Sequence, residues 1–391
     1  MSIGVPQLDA LPALLALESR LNRQLVDWRQ DRGAAAASAV TAIKWSECVW
    51  RLARNSGAPE LASADVQRGL ELARRPVFIC GVHRSGTTLM RDLLDGHPAL
   101  SVLPAEGTFY TNASHRHAAG AHGVLATLAC EWLRRLVNPS NQPPFWLLGR
   151  SCSRGSPYVE FARAFTAWAP LVQASLGRNT ACWPLLAVML AYTACLRHGV
   201  PATLQRWAEK TPTNERFIDR LLREFPEARI LHVVREPLAV FASRKSMELY
   251  TYGHFDNVGA ALRELARSYR VAVNRSGSGY DSRYLLVRYE QLVNEQPATT
   301  QRIAAFLQIE PLPVLWRPTV AGDVTGSNSS FDDGSDRGRI LTDTEHAPAH
   351  GPTLTERQLV AGAVGRWASR LGYPLPVATG WLSRVRRGAR R

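Results

Sequence analysis

The chain has 391 residues, 46% hydrophobic and 20% charged, enough for one large α/β domain or a core domain with an appendage. A formal net charge of +14, from 47 Lys+Arg against 33 Asp+Glu, calls for anionic partners: nucleic acid, a membrane surface, a phosphorylated cofactor or an acidic protein. Six scattered cysteines (Cys48, Cys80, Cys130, Cys152, Cys182 and Cys195) exclude a disulfide framework and a zinc site, and the longest apolar stretch, Cys182 to Leu196, falls short of the about 20 residues a bilayer requires.

Met1 to Leu25 mixes Asp, Glu and Arg into an apolar pattern and lacks the basic start and apolar core of a secretory signal, so a soluble cytoplasmic enzyme is the default expectation. Leu14, Leu17, Leu21, Leu25 and Trp28 recur at helical spacing through residues 8 to 30. Ala34 to Arg54 reads as a second helix. After the break Asn55-Ser56-Gly57-Ala58-Pro59 comes a short third helix, Ala64 to Arg74. Residues 1 to 74 are therefore expected to form a helical extension that packs on the core or on another subunit, which is compatible with a homodimer.

Val77-Phe78-Ile79-Cys80 reads as a buried parallel strand, the loop bounded by Gly81 and Gly86 follows, and apolar Leu89, Leu93 and Leu94 mark a helix that Gly96-His97-Pro98 stops. Strand, glycine-bounded loop and helix start make a phosphate cradle, with loop N–H groups and the helix dipole converging on one site. The spacing is close to a Walker A loop, but Thr87 stands where the NTP-binding lysine belongs and the cation sits earlier, as Arg84. That pattern suits a nucleotide lacking β- and γ-phosphates, with the arginine fork facing an oxyanion near its 5′ end.

Leu100 to Leu103 is expected to be a strand that delivers Pro104-Ala105-Glu106-Gly107 to the ligand end of the sheet. Residues 108 to 206 carry mostly helical patterns, broken most clearly at Asn138 to Pro144, and form an insertion suited to substrate selection. His115, His117 and His122 have no regular ligand spacing, so no metal is expected. Trp207 to Pro212 is a strand-to-turn segment, Asn214 to Phe225 a helix, Ala228 to Val234 a strand, and Pro237 opens another helix at its first position. A helix over Asp256 to Asn274, a strand at Leu285 to Val287 and a helix over Pro297 to Leu307 complete the alternation, which predicts a parallel sheet covered on both faces. Residues 322 to 340 form a long polar, glycine-rich loop. Thr353 and Glu356 form a capping box for a last helix running to Leu371, and residues 376–391 are a basic tail. The expected class is thus α/β: a parallel sheet flanked by helices around a P-loop-like strand-loop-helix, with an N-terminal helical extension and a helical insertion within a main domain spanning 75–375.

Four segments, taken together, resemble the sulfotransferases that use 3′-phosphoadenosine 5′-phosphosulfate (PAPS). They are Gly81-Val82-His83-Arg84-Ser85-Gly86-Thr87-Thr88-Leu89-Met90-Arg91 with Leu94 to Pro98; Glu209-Lys210-Thr211-Pro212; Arg229 to Pro237 running on to Ser243-Arg244-Lys245; and Val287-Arg288-Tyr289-Glu290-Gln291-Leu292-Val293 with Phe306-Leu307. Arg84, the run Thr87-Thr88-Leu89-Met90-Arg91 and Glu106 are most similar to tyrosylprotein sulfotransferases and their bacterial relatives. His83 departs from the usual proline, Leu238 stands where a basic residue is common, and Thr325 to Ser330 is nearer to bacterial members.

The resemblance implies sulfuryl transfer from PAPS to an acceptor hydroxyl, with PAP as product and no metal. Such a reaction runs on positioning and charge stabilisation. Loop N–H groups with Ser85, Gly86, Thr87 and Thr88 are expected at the 5′-phosphate, Arg84 at the sulfonate and Lys210 at the leaving oxygen. Arg235 and Ser243 are expected at the 3′-phosphate, and Glu106 as general base. Ser329, with Ser327, Asn328 and Ser330, is expected to close over the nucleotide, with Arg337 and Arg339 adding cations. The acceptor is either an acidic tyrosine-containing peptide, which suits the charge, or a glycan, lipid or small-molecule hydroxyl. An atypical P-loop kinase would need ATP and Mg²⁺ and is disfavoured by the missing lysine. A non-enzymatic nucleotide-binding module is the other alternative, and the motif segments lack the basic-aromatic interleaving of nucleic-acid binders.

Overall fold

The computed structural model describes residues 10–27, 32–111, 121–137, 145–176, 182–276, 282–325, 337–342 and 350–375. Trp28, His115, His117, the His122 side chain, residues 138–144, Ser327 to Ser330 and the tail 376–391 lie outside the described residues. At the centre stand β1 (Pro76–Cys80), β2 (Leu100–Val102), β3 (Arg206–Lys210), β4 (Arg229–Val234) and β5 (Tyr284–Arg288), a parallel sheet of order β2-β3-β1-β4-β5. From β1 the chain goes first to one side of the sheet, to β2 and β3, and then crosses to the other, to β4 and β5, so the C-terminal end of β1 is a topological switch point, where the edge of an open α/β sheet leaves a crevice.

Every residue of β1 is buried, which is why its sequence runs apolar rather than alternating. The pleat still sorts its side chains: Phe78 and Cys80 join the core on one face, Val77 and Ile79 the core on the other. Truncating Phe78 to Ala would cost about 3–5 kcal/mol.

The Phe78 face is covered by helices from two parts of the chain: the N-terminal α1 (Ala10–Asp27), α2 (Arg32–Ser56) and α3 (Ser63–Ala73), and the inserted α5 (Ala121–Leu136), α6 (Pro157–Leu176) and α7 (Trp183–Arg197). The extension therefore packs on the core. Glu18, buried on α1, ties these pieces together by accepting hydrogen bonds from Trp45 Nε1 at 3.2 Å, Ser151 N at 3.1 Å and Ser151 Oγ at 2.6 Å. The opposite face carries α4 (Thr87–Leu94) and α12 (Gln296–Leu307), while α9 (Pro237–Tyr252), α10 (Val258–Ser276) and α13 (Leu354–Ala368) form a third cluster with Val82 and Val234. The capping box forms, with Glu356 N donating to Thr353 Oγ1 at 3.2 Å and Thr353 N to Glu356 Oε2 at 2.7 Å.

Some boundaries differ from expectation. The helix expected over Asn214–Phe225 begins as a 3₁₀ turn, Pro212–Phe217, and becomes α8 (Ile218–Glu224) only after Phe217, whose φ of −119° breaks the ladder. A short α11 (Tyr289–Asn294) directly follows β5, and β6 (Thr319–Val320) pairs with β7 (Asp323–Val324) at the start of the polar loop. Among the described residues no helix is long and apolar enough to cross a membrane.

Candidate active site

Four chain segments converge at the C-terminal edge of the sheet. The loop after β1 folds back so that Gly81 N donates to Pro212 O at 3.0 Å and Ser85 N to Val82 O at 3.1 Å. Gly81 (φ 144°) and Gly86 (φ 98°) occupy backbone regions that favour glycine, and at Gly86 a Cβ would run into the Tyr289 ring. Gly86 is the residue before α4, so the N–H groups of Thr87 and Thr88 open the helix toward the loop's concave side. Ser85 is fully buried, and its Oγ has no hydrogen-bond partner among the described residues. A buried hydroxyl left so is costly, and it fits a phosphate oxygen seated in this cradle.

One cluster lies between the loop and β4. Arg84 Nε donates to Ser243 Oγ on α9 at 3.0 Å, and Arg235, at the end of β4, is the like charge that acts on Arg84. Burial, then Arg235, push the Arg84 guanidinium down to about 10. A buried and a half-buried cation drawn together in this way fit an anion carrying more than one charge. Tyr289 lies under both halves: Arg235 stacks 4.2 Å from its ring centroid while its edge abuts Gly86. The strand end is fixed by Tyr269 Oη donating to Arg235 O, by Glu236 N donating to Glu290 Oε1 at 2.8 Å, and by Tyr373 Oη donating to Glu290 Oε2 at 2.6 Å.

A second cluster sits beyond β3. The register sets Lys210 beside Ile79, one step below the loop, and its Nζ donates to Glu106 Oε1 at 2.5 Å. The Lys210 side chain is 6% exposed and that of Glu106 35%, so the ammonium lies beneath and the carboxylate faces the crevice. Burial alone would raise the Glu106 pKa, but Lys210, His83 and Arg91 outweigh it and hold the carboxyl below its ordinary value. Lys210 is also lowered, by burial first and by Arg91, with Glu106 opposing. His83, on the loop, is lowered by burial and is neutral above its ordinary range. The pair can therefore take a proton at the carboxylate and offer a cation to an oxygen that gains charge.

The sequence-derived candidates thus fall into two groups on either side of the loop. Glu106 meets Lys210, and Arg84 meets Ser243 and Arg235, so Arg84 lies with the pair expected at the 3′-phosphate rather than with Lys210. Thr87 is buried and Thr88 exposed. Ser329 lies outside the described residues, and Arg337 gives a hydrogen bond to Val324 O at 2.8 Å. His83, Tyr289, Arg91 and Glu209 stand in the segments quoted from the sequence, which assigned them no role of their own. Arg91 is buried, donates to Pro104 O at 2.5 Å and pairs with Asp92. Glu209, 1% exposed, accepts from Gly107 N at 2.8 Å, Asn214 Nδ2 at 2.7 Å and Thr211 Oγ1. The available signal for Glu209 was its place in the segment Glu209-Lys210-Thr211-Pro212 at the ligand end of a strand.

Residues 76–313 match a family model described as the sulfotransferase family. Among curated proteins the chain is similar to nodulation protein NoeE of Sinorhizobium fredii (strain NBRC 101917 / NGR234), 26% identical over 263 residues, or 61% of this chain. That stretch is 51% of the relative, so the chain spans about half the length of the curated protein it matches. Among solved structures it is similar to the sulfotransferase domain of the Synechococcus PCC 7002 olefin synthase, at 21% identity and TM-score 0.43 over 77% of this chain and 96% of that one. It is also similar to sulfotransferase STF9 from Mycobacterium avium, at 15% identity and TM-score 0.35 over 68% and 84% of the two chains.

Proposed function

Because the chain belongs to the sulfotransferase family, we propose that this crevice transfers a sulfuryl group from PAPS to an acceptor hydroxyl. The observation that carries the proposal is the division of the site by its phosphate loop: a carboxylate–ammonium pair on one side, and a buried Arg235, a half-buried Arg84 and a serine on the other. A donor with phosphate at both the 5′ and 3′ positions needs both halves, whereas ATP has no 3′-phosphate for the arginines.

In this reading the loop N–H groups with Ser85, Thr87 and Thr88 hold the 5′-phosphate, and Arg235 and Ser243 hold the 3′-phosphate. Arg84 spans the two, turning from Ser243 toward the sulfonate. The Glu106 carboxylate accepts the proton of the acceptor hydroxyl as its oxygen bonds to sulfur. The bond from sulfur to the 5′-phosphate oxygen breaks in line, and Lys210 meets the charge that develops on that oxygen. PAP leaves with the electron pair, and no metal is required for the charge balance.

Charge favours an anionic acceptor without choosing its class. At +14 the protein attracts anionic acceptors, and an acidic tyrosine-containing peptide is the first to offer it, beside glycan, lipid and small-molecule hydroxyls. The catalytic unit is taken as residues 75–375, with 108–206 on the acceptor side. Calorimetric titration with PAP, beside 5′-AMP and beside ATP with Mg²⁺, tests the donor. Tight metal-free PAP binding is expected. ATP binding in its place would transfer the loop to the kinase reading.

A further inference from the structure

The loop that carries Glu106 is gripped from two sides, and one grip comes from the helical insertion. From below, Gly107 N donates to the buried Glu209, and Thr108 N donates to Thr211 Oγ1 at 2.9 Å. From above, Arg135, in the last turn of α5, donates to Glu106 O, to Gly107 O at 3.3 Å and to Thr108 Oγ1 at 2.9 Å. Arg135 is itself held by an ion pair with Glu131, one turn earlier, and by stacking on Trp132 at 5.1 Å. The backbone between the grips is not at rest: Thr108 has φ 49°, a left-handed conformation unusual for a β-branched residue.

We propose that Arg135 is a positioning residue that aims the Glu106 carboxylate through the backbone of its loop. The inference rests on the reading of Glu106 as general base. A left-handed threonine persists only where its surroundings over-determine it, and the surroundings here are the Arg135 fork and the Glu209–Thr211 floor. The fork's planar geometry lets one side chain span a carbonyl pair and a hydroxyl at once, which a lysine cannot do. Since α5 belongs to the insertion assigned to the acceptor, a shift of that helix on acceptor binding would be transmitted to the base.

The test uses the full chain with PAP bound, comparing wild type, Arg135→Gln and Arg135→Lys. Amide hydrogen exchange is followed in residues 104–111, and PAP release is measured from PAPS with water as acceptor. Arg135→Gln is expected to speed exchange there and to lower kcat about tenfold with KM for PAPS unchanged, and Arg135→Lys to restore part of both. Unchanged exchange in Arg135→Gln overturns the proposal, and so does faster exchange with full turnover. Glu106→Gln measured alongside separates the two readings: full turnover in that variant removes the base assignment, while the exchange result still decides whether Arg135 holds the loop.

Discussion

Lys210 Nζ lies 2.5 Å from Glu106 Oε1, joining the end of β3 to the loop that follows β2. The pair spans the crevice floor with its cation buried and its carboxylate facing the opening. In the proposed reading, a base paired in this way is ionised before any acceptor arrives, and its partner is the cation for the leaving oxygen.

Glu106→Gln keeps the shape and removes the proton acceptor. Turnover is expected to fall about 10²- to 10⁴-fold, with PAP affinity by calorimetry within twofold of wild type. Near-normal turnover would sink the assignment.

The pH profile should follow from the same pair. Glu106 is held below its ordinary 4.5, so activity should persist as pH falls until below that value. The stability this pair contributes is present above 4.5 and is lost as pH falls through the lowered value. Lys210→Met leaves burial less opposed, so the acid limb of kcat/KM should move up in pH, while Lys210→Arg should leave it near wild type. A limb that stays put in Lys210→Met would show that another group titrates.

On the other side of the loop, Arg235→Ala should weaken PAP binding by on the order of 10²-fold, because a charge-assisted contact to phosphate is lost. Affinity for 5′-AMP, which has no 3′-phosphate, should change little. Equal losses for the two ligands would take Arg235 away from the 3′-phosphate.

Glu209 gives a stability signature. Burial raises its carboxyl from 4.5 to about 7 in spite of the hydrogen bonds from Thr211, Gly107 and Asn214, with Glu106 adding to the rise. A folded-state value above the unfolded one means stability fully present below 4.5 and lost as pH rises through 7, about 3 kcal/mol for this group. Asp92, raised to about 6 by burial against the pull of Arg91, acts with the same sign. Glu209→Gln cannot ionise, so its Tm relative to wild type should climb between pH 5 and about pH 8. A constant difference would refute the shift.

Gly86→Ala forces a side chain into φ 98° and against the Tyr289 ring. A loss on the order of 3 kcal/mol is expected in thermal unfolding, together with weaker PAP binding. A variant with wild-type Tm would mean that the loop has room to move.

Much of this was legible in the sequence because it is local. The apolar run of β1, the two glycines and the Leu89/Leu93/Leu94 spacing specify strand, loop and helix without distant partners, and the Thr353 capping box needs only residues three apart. The meeting of Glu106 with Lys210 is a consequence of register, with β2 and β3 ending at the same edge, and motif order hinted at it. Arg135 could not be found this way. On an amphipathic helix it reads as one more polar-face residue, and nothing in its surroundings states that it reaches back to residues 106–108. The Arg84 head was similarly hidden, since spacing fixes where its Cα lies but not that its rotamer reaches Ser243. The split of the 214–225 helix turns on a single backbone angle at Phe217.

Tyr373 lies 60 residues beyond the end of the family match at 313, yet its hydroxyl holds Glu290 Oε2, whose other oxygen holds the amide next to Arg235. From the same stretch beyond 313, Glu356 reaches Lys245 on α9 at 2.9 Å. Trimming an expression clone to the recognisable family boundary would thus cut the far end of a chain of contacts that terminates beside Arg235, the arginine proposed for the 3′-phosphate.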